Sequence, residues 1–182
     1  MAHSLLSLLR RLNRLVALGV GIGLLAMAGF VLLDIGLRQL GASFGGTDEI
    51  SGYTMAIATS WGMGFALLEL SHVRIDILRG RVGALGRSLF DLFAMLVMAG
   101  TVTLIAVRCW PVLERSLNNM SRANTPLETP LWLVQGPWFA GWIWFALVSW
   151  LTFLAALLLV AKGEFAQSEA AIGTFGEEEA AL

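Results

Sequence analysis

Four long apolar stretches run along the chain, and charged residues border each of them. Residues 15–33, 50–68, 92–107 and 131–161 contain no Asp, Glu, Lys or Arg. A transmembrane helix needs about 20 apolar residues, and in hydrocarbon a single segment can satisfy its backbone hydrogen bonds only as a helix. The pattern therefore predicts an all-α integral membrane protein with a four-helix membrane domain over residues 15–161. Its transmembrane helices are expected at residues 15–36, 48–70, 88–109 and 131–161, the last with a kink at Pro137.

The two flanking segments differ in character from this domain. In residues 1–14, Leu5, Leu8, Leu9 and Leu12 fall on one helical stripe and the arginines fall mostly off it. This spacing predicts a cytoplasmic amphipathic helix that lies on the inner leaflet and runs into the first span. Residues 162–182 are acidic and offer little apolar surface to bury, so we expect a disordered cytoplasmic tail.

Composition supports the membrane assignment. Hydrophobic residues make up 57% of the chain and charged residues 14%, whereas a soluble domain carries about 25% charged residues. The net charge of −1 gives no indication of a nucleic-acid partner. The single cysteine, Cys109, cannot form an intrachain disulfide.

The distribution of basic residues predicts the orientation. If the N-terminus is cytoplasmic, eight of the 12 Lys and Arg residues fall on the cytoplasmic side of the membrane. Cytoplasmic segments carry the excess of positive charge in membrane proteins. Both termini are therefore expected in the cytoplasm, and residues 108–130 are expected to form an outer loop.

The cores of the four predicted spans lack ionisable residues. Asp34, Glu69 and Asp91 stand near span ends, where we expect them to reach water. Proteins that move ions or solutes usually place such residues inside the bundle. The chain alone therefore makes a poor transporter.

Small residues recur at every fourth position of the second span, at Gly52, Ala56, Ser60 and Gly64. Such spacing lets helix backbones approach closely. We expect this stripe to contact other helices. Gly19 and Gly23 form a similar pair in the first span.

A polar cluster follows the second span, with Glu69, His72, Arg74 and Asp76 in close succession. Glu69 and His72 have the three-residue spacing of helical metal ligands, but there is no second pair, and the nearby arginines oppose a cation. We interpret the cluster as an anchor at the cytoplasmic edge, with Asp76 paired to Arg74, to Arg79 or to an arginine of a partner. Neither histidine lies in a span, so haem ligation inside the membrane is disfavoured.

Two short segments are expected on the outer side. In residues 45–50, two glycines predict a turn, Thr47 can cap the second span, and Asp48 and Glu49 favour a helix N-terminus. Pro130 can start the last helix, and Trp132 suits the membrane interface.

Taken in order, these features resemble the DctQ family, the small permease subunit of tripartite ATP-independent periplasmic (TRAP) transporters. The first span closes on Arg38, "TDE" opens the second, "HVRIDIL" follows it, and "TPLETPLW" opens the fourth. The resemblance covers about residues 10–160.

The resemblance implies a multi-pass protein of the bacterial inner membrane, with a large permease subunit and a periplasmic solute-binding protein as partners in the lipid bilayer. It implies ion-driven uptake of an organic acid such as a dicarboxylate. We expect no enzymatic activity, no cofactor and no metal site. The candidate partner-interface residues are Arg38, Asp48, Glu49, Gly52, Ala56, Ser60, Gly64, His72, Arg74, Asp76, Pro130 and Trp132.

Two other classes of function stay open from the residues alone. One is a free-standing four-helix channel or carrier, which the apolar spans disfavour. The other is the membrane anchor of a redox complex, which the scarcity of histidines disfavours. Activity of the purified chain in liposomes would support the first class, and a haem spectrum would support the second.

Overall fold

The computed structural model describes residues 2–72 and 79–173, which are helical with short connections and one isolated β-bridge. The helices are α1 (Ala2–Gln39), α2 (Thr47–Leu68), α3 (Ala84–Asn118), α4 (Leu131–Ala161) and α5 (Phe165–Ile172), with a 3₁₀ turn at Arg79–Arg81. The all-α prediction is confirmed for this part of the chain.

Three of the described helices, α1, α3 and α4, are long and apolar enough to cross a membrane. The remaining predicted span, the second at residues 48–70, corresponds to α2, which has 22 residues. At 1.5 Å per residue α2 is about 33 Å long and matches the hydrocarbon thickness. Its serine, threonine and glycine residues make it less apolar than the other three helices, so its crossing remains a prediction.

The long helices run alternately up and down. The end of α1 and the starts of α2 and α4 meet at what we name the loop end, formed by residues 40–46 and 119–130. The starts of α1 and α3 meet α5 at the opposite end, named the α5 end. Since α1 has 38 residues, it is about 57 Å long and exceeds the thickness of a bilayer.

All four long helices end in the same hydrogen-bonding pattern. After α4, the Glu164 N–H donates to the Leu159 carbonyl and the Gly163 N–H donates to the Val160 carbonyl. This is a Schellman motif, in which the residue just past the helix takes a positive φ. Gly163 has φ 76°, a conformation that costs glycine little. The equivalent positions are Gly41 after α1, Leu70 after α2 and Met120 after α3.

Helix α4 contacts each of the other helices, and an indole N–H takes part in each contact with a long one. Trp144 donates to the Asn13 side chain of α1 at 3.1 Å, and Trp150 donates to the Thr103 hydroxyl of α3 at 2.9 Å. In the other direction, Trp61 of α2 donates to the Pro137 carbonyl of α4 at 3.0 Å. Interhelical hydrogen bonds of this kind contribute about 1 kcal/mol each in a membrane.

Two glycines let α2 lie close to its neighbours. A Cβ atom at Gly64 would stand 2.8 Å from the Asn13 Oδ1 atom, and one at Gly141 would overlap the Ser60 hydroxyl. Ser60 and Gly64 are both buried. The C-terminal half of the predicted small-residue stripe therefore packs inside the bundle. Gly52 and Ala56, in its N-terminal half, are exposed.

The core lies toward the α5 end. Its fully buried members include Met95 of α3 and Phe145, Val148 and Leu159 of α4, with Ile172 of α5 against them. Leu6 and Leu9 of α1 join the same cluster. By contrast, no residue in the most apolar stretch of α1 is buried.

The N-terminal segment differs from the prediction in its contacts, not in its helical structure. Residues 2–14 are helical and run directly into the rest of α1, as predicted. The covered stripe is Ala2, Leu6, Leu9 and Asn13, whereas Leu8 and Leu12 are exposed. No proline or glycine interrupts the helix in this segment. The other helices of the bundle cover its apolar stripe, which the sequence predicted to face lipid.

Three further differences lie in the second half of the chain. Residues 165–172 of the tail expected to be disordered form α5, with Ser168, Ala171 and Ile172 buried. Helix α3 extends to Asn118, so the predicted outer loop shortens to residues 119–130. Helix α4 includes Pro137 without a separate first segment. Residues 174–182 lie outside the described part of the chain.

Replacing Gly141 with alanine is expected to destabilise the bundle by about 1–3 kcal/mol, because the added methyl group overlaps Ser60. The matched control is Gly62→Ala on α2, where no atom lies within 4 Å of the added carbon. The free energy of unfolding, measured by denaturing-detergent titration in micelles, checks this. Equal stability of the two variants would contradict the close approach of α2 and α4.

Candidate functional site

At the α5 end, one arginine joins three elements. Arg79 donates to both carboxylate oxygens of Asp91 on α3, at 3.0 and 3.1 Å, and to Glu169 on α5 at 2.6 Å. The Arg79 side chain is 13% exposed and that of Asp91 is 3% exposed. The arrangement holds the 3₁₀ turn, the first helical turns of α3 and the last turn of α5 together.

The charge state of Arg79 follows from these contacts. Burial alone lowers the pKa of the Arg79 guanidinium, but hydrogen bonds and charge from Asp91 and Glu169 raise it above its usual value. Arg79 therefore keeps its positive charge next to the carboxylates of Asp91 and Glu169. The expectation that Asp91 reaches water is wrong, since its carboxylate is buried in this network.

Of the predicted cluster at residues 69–76, only part can be placed. Glu69 is exposed. The His72 ring stacks on Phe145 with 6.3 Å between centroids, and both of its nitrogens are buried with no hydrogen-bond partner among the described residues. Arg74 and Asp76 lie outside the described residues, so their role as interface residues remains a prediction.

At the loop end, Asp34 organises the turn after α1. Its carboxylate accepts hydrogen bonds from Arg38 Nε at 2.8 Å, the Ser43 hydroxyl at 2.9 Å and the Phe44 N–H at 2.8 Å. Asp34 is 1% exposed, so the expectation that it reaches water is also wrong. Arg38 is paired to Asp34 and leaves about half of its side chain exposed, at 48%.

The start of α2 is held by the second loop. Gly46 has φ 68°, and the Leu127 side chain occupies the space where a Cβ atom would stand. No side chain caps α2, so the predicted capping role of Thr47 is wrong. Inside the first turn, Glu49 accepts a hydrogen bond from the Tyr53 hydroxyl at 2.7 Å.

Residues 119–130 form an ordered loop rather than a free connection. Arg122 pairs with Pro130 in an isolated β-bridge, and the Ala123 N–H donates to the Thr129 carbonyl at 2.9 Å. Pro130 caps the start of α4, as predicted, and Trp132 in the first turn is 39% exposed.

The start of α2 lies at an open surface, whereas the small residues farther along the helix are covered. An open cavity of about 580 Å³ lies at its start, and Asp48, which lines it, is exposed. The structure brings together Asp48, Glu49 and Gly52 from the predicted interface residues, and it adds Tyr53, Thr125 and Pro126 from the chain nearby. Ser60 and Gly64 stand apart from this surface because α1 and α4 cover them.

The described residues hold no group of three or more His, Cys, Asp or Glu side chains placed to bind a metal ion. The polar groups at both ends instead bond helices and loops to one another. Sequence reasoning missed Asn13 and Glu169. Asn13 could have been found, because it is a polar residue on an otherwise apolar helical stripe. No local sequence pattern indicates the role of Glu169.

Comparison with known families gives one result. Residues 27–159 match the family described as tripartite ATP-independent periplasmic transporters, DctQ component. This range contains α2, α3, most of α4 and the last 13 residues of α1, and excludes the first 25 residues of α1 and all of α5. No curated protein and no solved structure gives a significant match.

Asp91→Asn is expected to destabilise the chain by about 2 kcal/mol or more, because it removes the carboxylate that accepts two hydrogen bonds from the largely buried Arg79. Arg87→Gln is the control, since the Arg87 guanidinium is 3.9 Å from Glu169 and the side chain is 43% exposed. Exposed pairs contribute less than about 1 kcal/mol. The free energy of unfolding in micelles is measured for both variants. An equal loss of stability in the two would show that the Asp91–Arg79 pair stabilises the fold no more than the exposed Arg87–Glu169 pair.

Proposed function

Since the chain belongs to the DctQ family, the small membrane component of TRAP transporters, we propose that it braces the large permease subunit and helps to dock the periplasmic solute-binding protein. The family is not enzymatic, and the chain is a multi-pass membrane protein. The match over residues 27–159 is the observation that carries the proposal. The transported solute is an organic acid, such as a dicarboxylate, and uptake is driven by an ion gradient.

The orientation in this proposal follows the distribution of basic residues. The α5 end carries Arg10, Arg11 and Arg14 on α1 together with Arg79 and Arg87, and it faces the cytoplasm. The loop end faces the periplasm of a bacterial cell. Helix α2 is the second of four spans in this topology, and α1 and α4 supply contacts to its polar residues.

We assign the outward face of α1 to the large permease. Within the chain this helix is the least covered of the three strongly apolar ones, since none of its most apolar stretch is buried. Gly19 and Gly23 are exposed there, and no atom lies within 4 Å of a Cβ built at either position. A second helix can approach such a pair closely.

The loop end is suited to docking a soluble partner. Asp34 holds residues 43–44 and Leu127 holds the start of α2, so the surface is formed before a partner arrives. Preformed surfaces lose less conformational entropy on binding. Arg38 and Asp48 are exposed charged residues at this end, together with Arg122 and Glu128 of the second loop.

Affinity purification of the chain from its native membrane in mild detergent tests the complex. We expect a large permease subunit to co-purify in stoichiometric amount. Gly23→Leu should lower its recovery because the added side chain fills the gap on α1. The chain recovered alone, as a stable homo-oligomer, would contradict the proposal and favour an independent channel.

The control for Gly23→Leu is Gly100→Leu on the outward face of α3, which is equally exposed and has no atom within 4 Å of a built Cβ. It should leave recovery of the permease unchanged. If recovery of the permease falls only in Gly100→Leu, the permease contacts α3 and not α1.

Asp48→Lys is expected to weaken docking of the solute-binding protein, because it reverses an exposed charge without removing an internal contact of its side chain. Uptake in liposomes is measured against the concentration of binding protein, and the half-saturating concentration should rise several-fold, as for other charge contacts at the edge of an interface. Glu69→Lys reverses an exposed charge beyond the other end of α2 and serves as the control. Identical curves for Asp48→Lys and the wild type would remove Asp48 from the docking surface.

A further inference from the structure

A basic groove lies at the α5 end, between the first half of α1 and α5. Its cavity volume is about 630 Å³. Arg10, Arg11 and Arg14 line it from α1, and Gln167 and Ala170 line it from α5. All of these residues lie outside the range that matches the DctQ family.

The charges in this groove have few internal partners. Arg10 donates to the Ala170 carbonyl at 3.3 Å, which bridges the two walls. Arg11 and Arg14 are exposed and form no ion pair within the described part of the chain. At the end of the groove nearest the N-terminus, the His3 Nε2 atom lies 3.5 Å from a Glu164 carboxylate oxygen. The positive charge is therefore uncompensated toward Arg14.

The groove also has an apolar component. Leu6 and Ala171 form part of its lining and are largely buried. Beside it, Leu8, Leu12 and Leu15 are exposed. The uncharged stretch of α1 begins at Leu15, directly after Arg14, so the open end of the groove coincides with the start of the membrane-crossing part of the helix.

We propose that this groove binds the phosphate headgroup of an anionic phospholipid from the cytoplasmic leaflet. The guanidinium groups of Arg11 and Arg14 hold the phosphate, for which their planar donor geometry is suited. The acyl chains lie along the exposed leucines at the start of the apolar stretch. The proposal uses the orientation given above and does not depend on which proteins partner the chain.

Two other anions of the same chemistry compete for the groove. Free phosphate satisfies the arginines but leaves the exposed leucines without a partner. The chain itself carries Glu177, Glu178 and Glu179, which follow Gly173 within about 14–21 Å of extended chain. A phospholipid satisfies both the charged and the apolar surfaces, and for this reason it is the proposed occupant.

Native mass spectrometry of the full chain in detergent tests the proposal, with dioleoylphosphatidylglycerol, dioleoylphosphatidylcholine or inorganic phosphate as the added probe. We expect the first phosphatidylglycerol to bind about tenfold more tightly than phosphatidylcholine. The double variant Arg11→Gln, Arg14→Gln should abolish that preference, since arginines at a membrane surface each contribute about fivefold or more.

The matched control is Arg108→Gln with Arg115→Gln, which removes two exposed arginines from α3 near the loop end and should keep the preference. A third variant, Gln167→Trp, fills the groove without changing charge and should also lose the first phosphatidylglycerol. Equal losses in both arginine pairs, or none in either, would overturn the site.

Two further results would overturn the choice of ligand. Displacement of phosphatidylglycerol by an equal concentration of inorganic phosphate would identify a soluble anion. Binding of phosphatidylglycerol only after truncation at Gly173 would assign the groove to the acidic end of the chain. Unchanged binding in the truncated chain supports the phospholipid.

Discussion

The architecture depends on a requirement of apolar surroundings, which is that buried polar groups find partners inside the protein. Helix α4 supplies such a partner to one polar side chain on each of the other three long helices. Its contacts include Trp144 to Asn13, Trp150 to Thr103 and the Pro137 carbonyl to Trp61, so one hydrogen bond joins it to each of α1, α2 and α3. Each bond fixes the rotation and axial position of one helix, and van der Waals packing then follows around α4.

The bundle is rigid at its two ends and open along its sides. At the α5 end, Arg79 binds carboxylates from two helices, and at the loop end Asp34 and Leu127 hold the turns. Between them, the outward surfaces of α1 and α3 carry large apolar side chains with no partner in the described chain. Such a structure keeps its own shape while offering long surfaces to lipid or to another membrane subunit, which suits a supporting component better than a moving one.

The sequence predicts the helical class and three strongly apolar spans because those depend on local composition. It also predicts the turn at Gly46 and the start of α4 at Pro130. It does not predict Arg79 with Asp91 and Glu169, because these residues are far apart in the chain and nothing local selects one carboxylate among several. Composition alone favoured disorder for residues 165–172, but apolar contacts with α3 and α4 stabilise a helix there.

The modest hydropathy of α2 has a consequence for how the protein is made. A nascent chain presents α1 and α2 to the insertion machinery before α4 has been synthesised. At that stage α2 can lie against α1 through Gly64 and Asn13, but Ser60 and Trp61 have not met Gly141 and Pro137. On the proposed four-span topology, we expect α2 to enter the bilayer as one arm of a hairpin with α1 and to complete its polar contacts only after α4 has been synthesised.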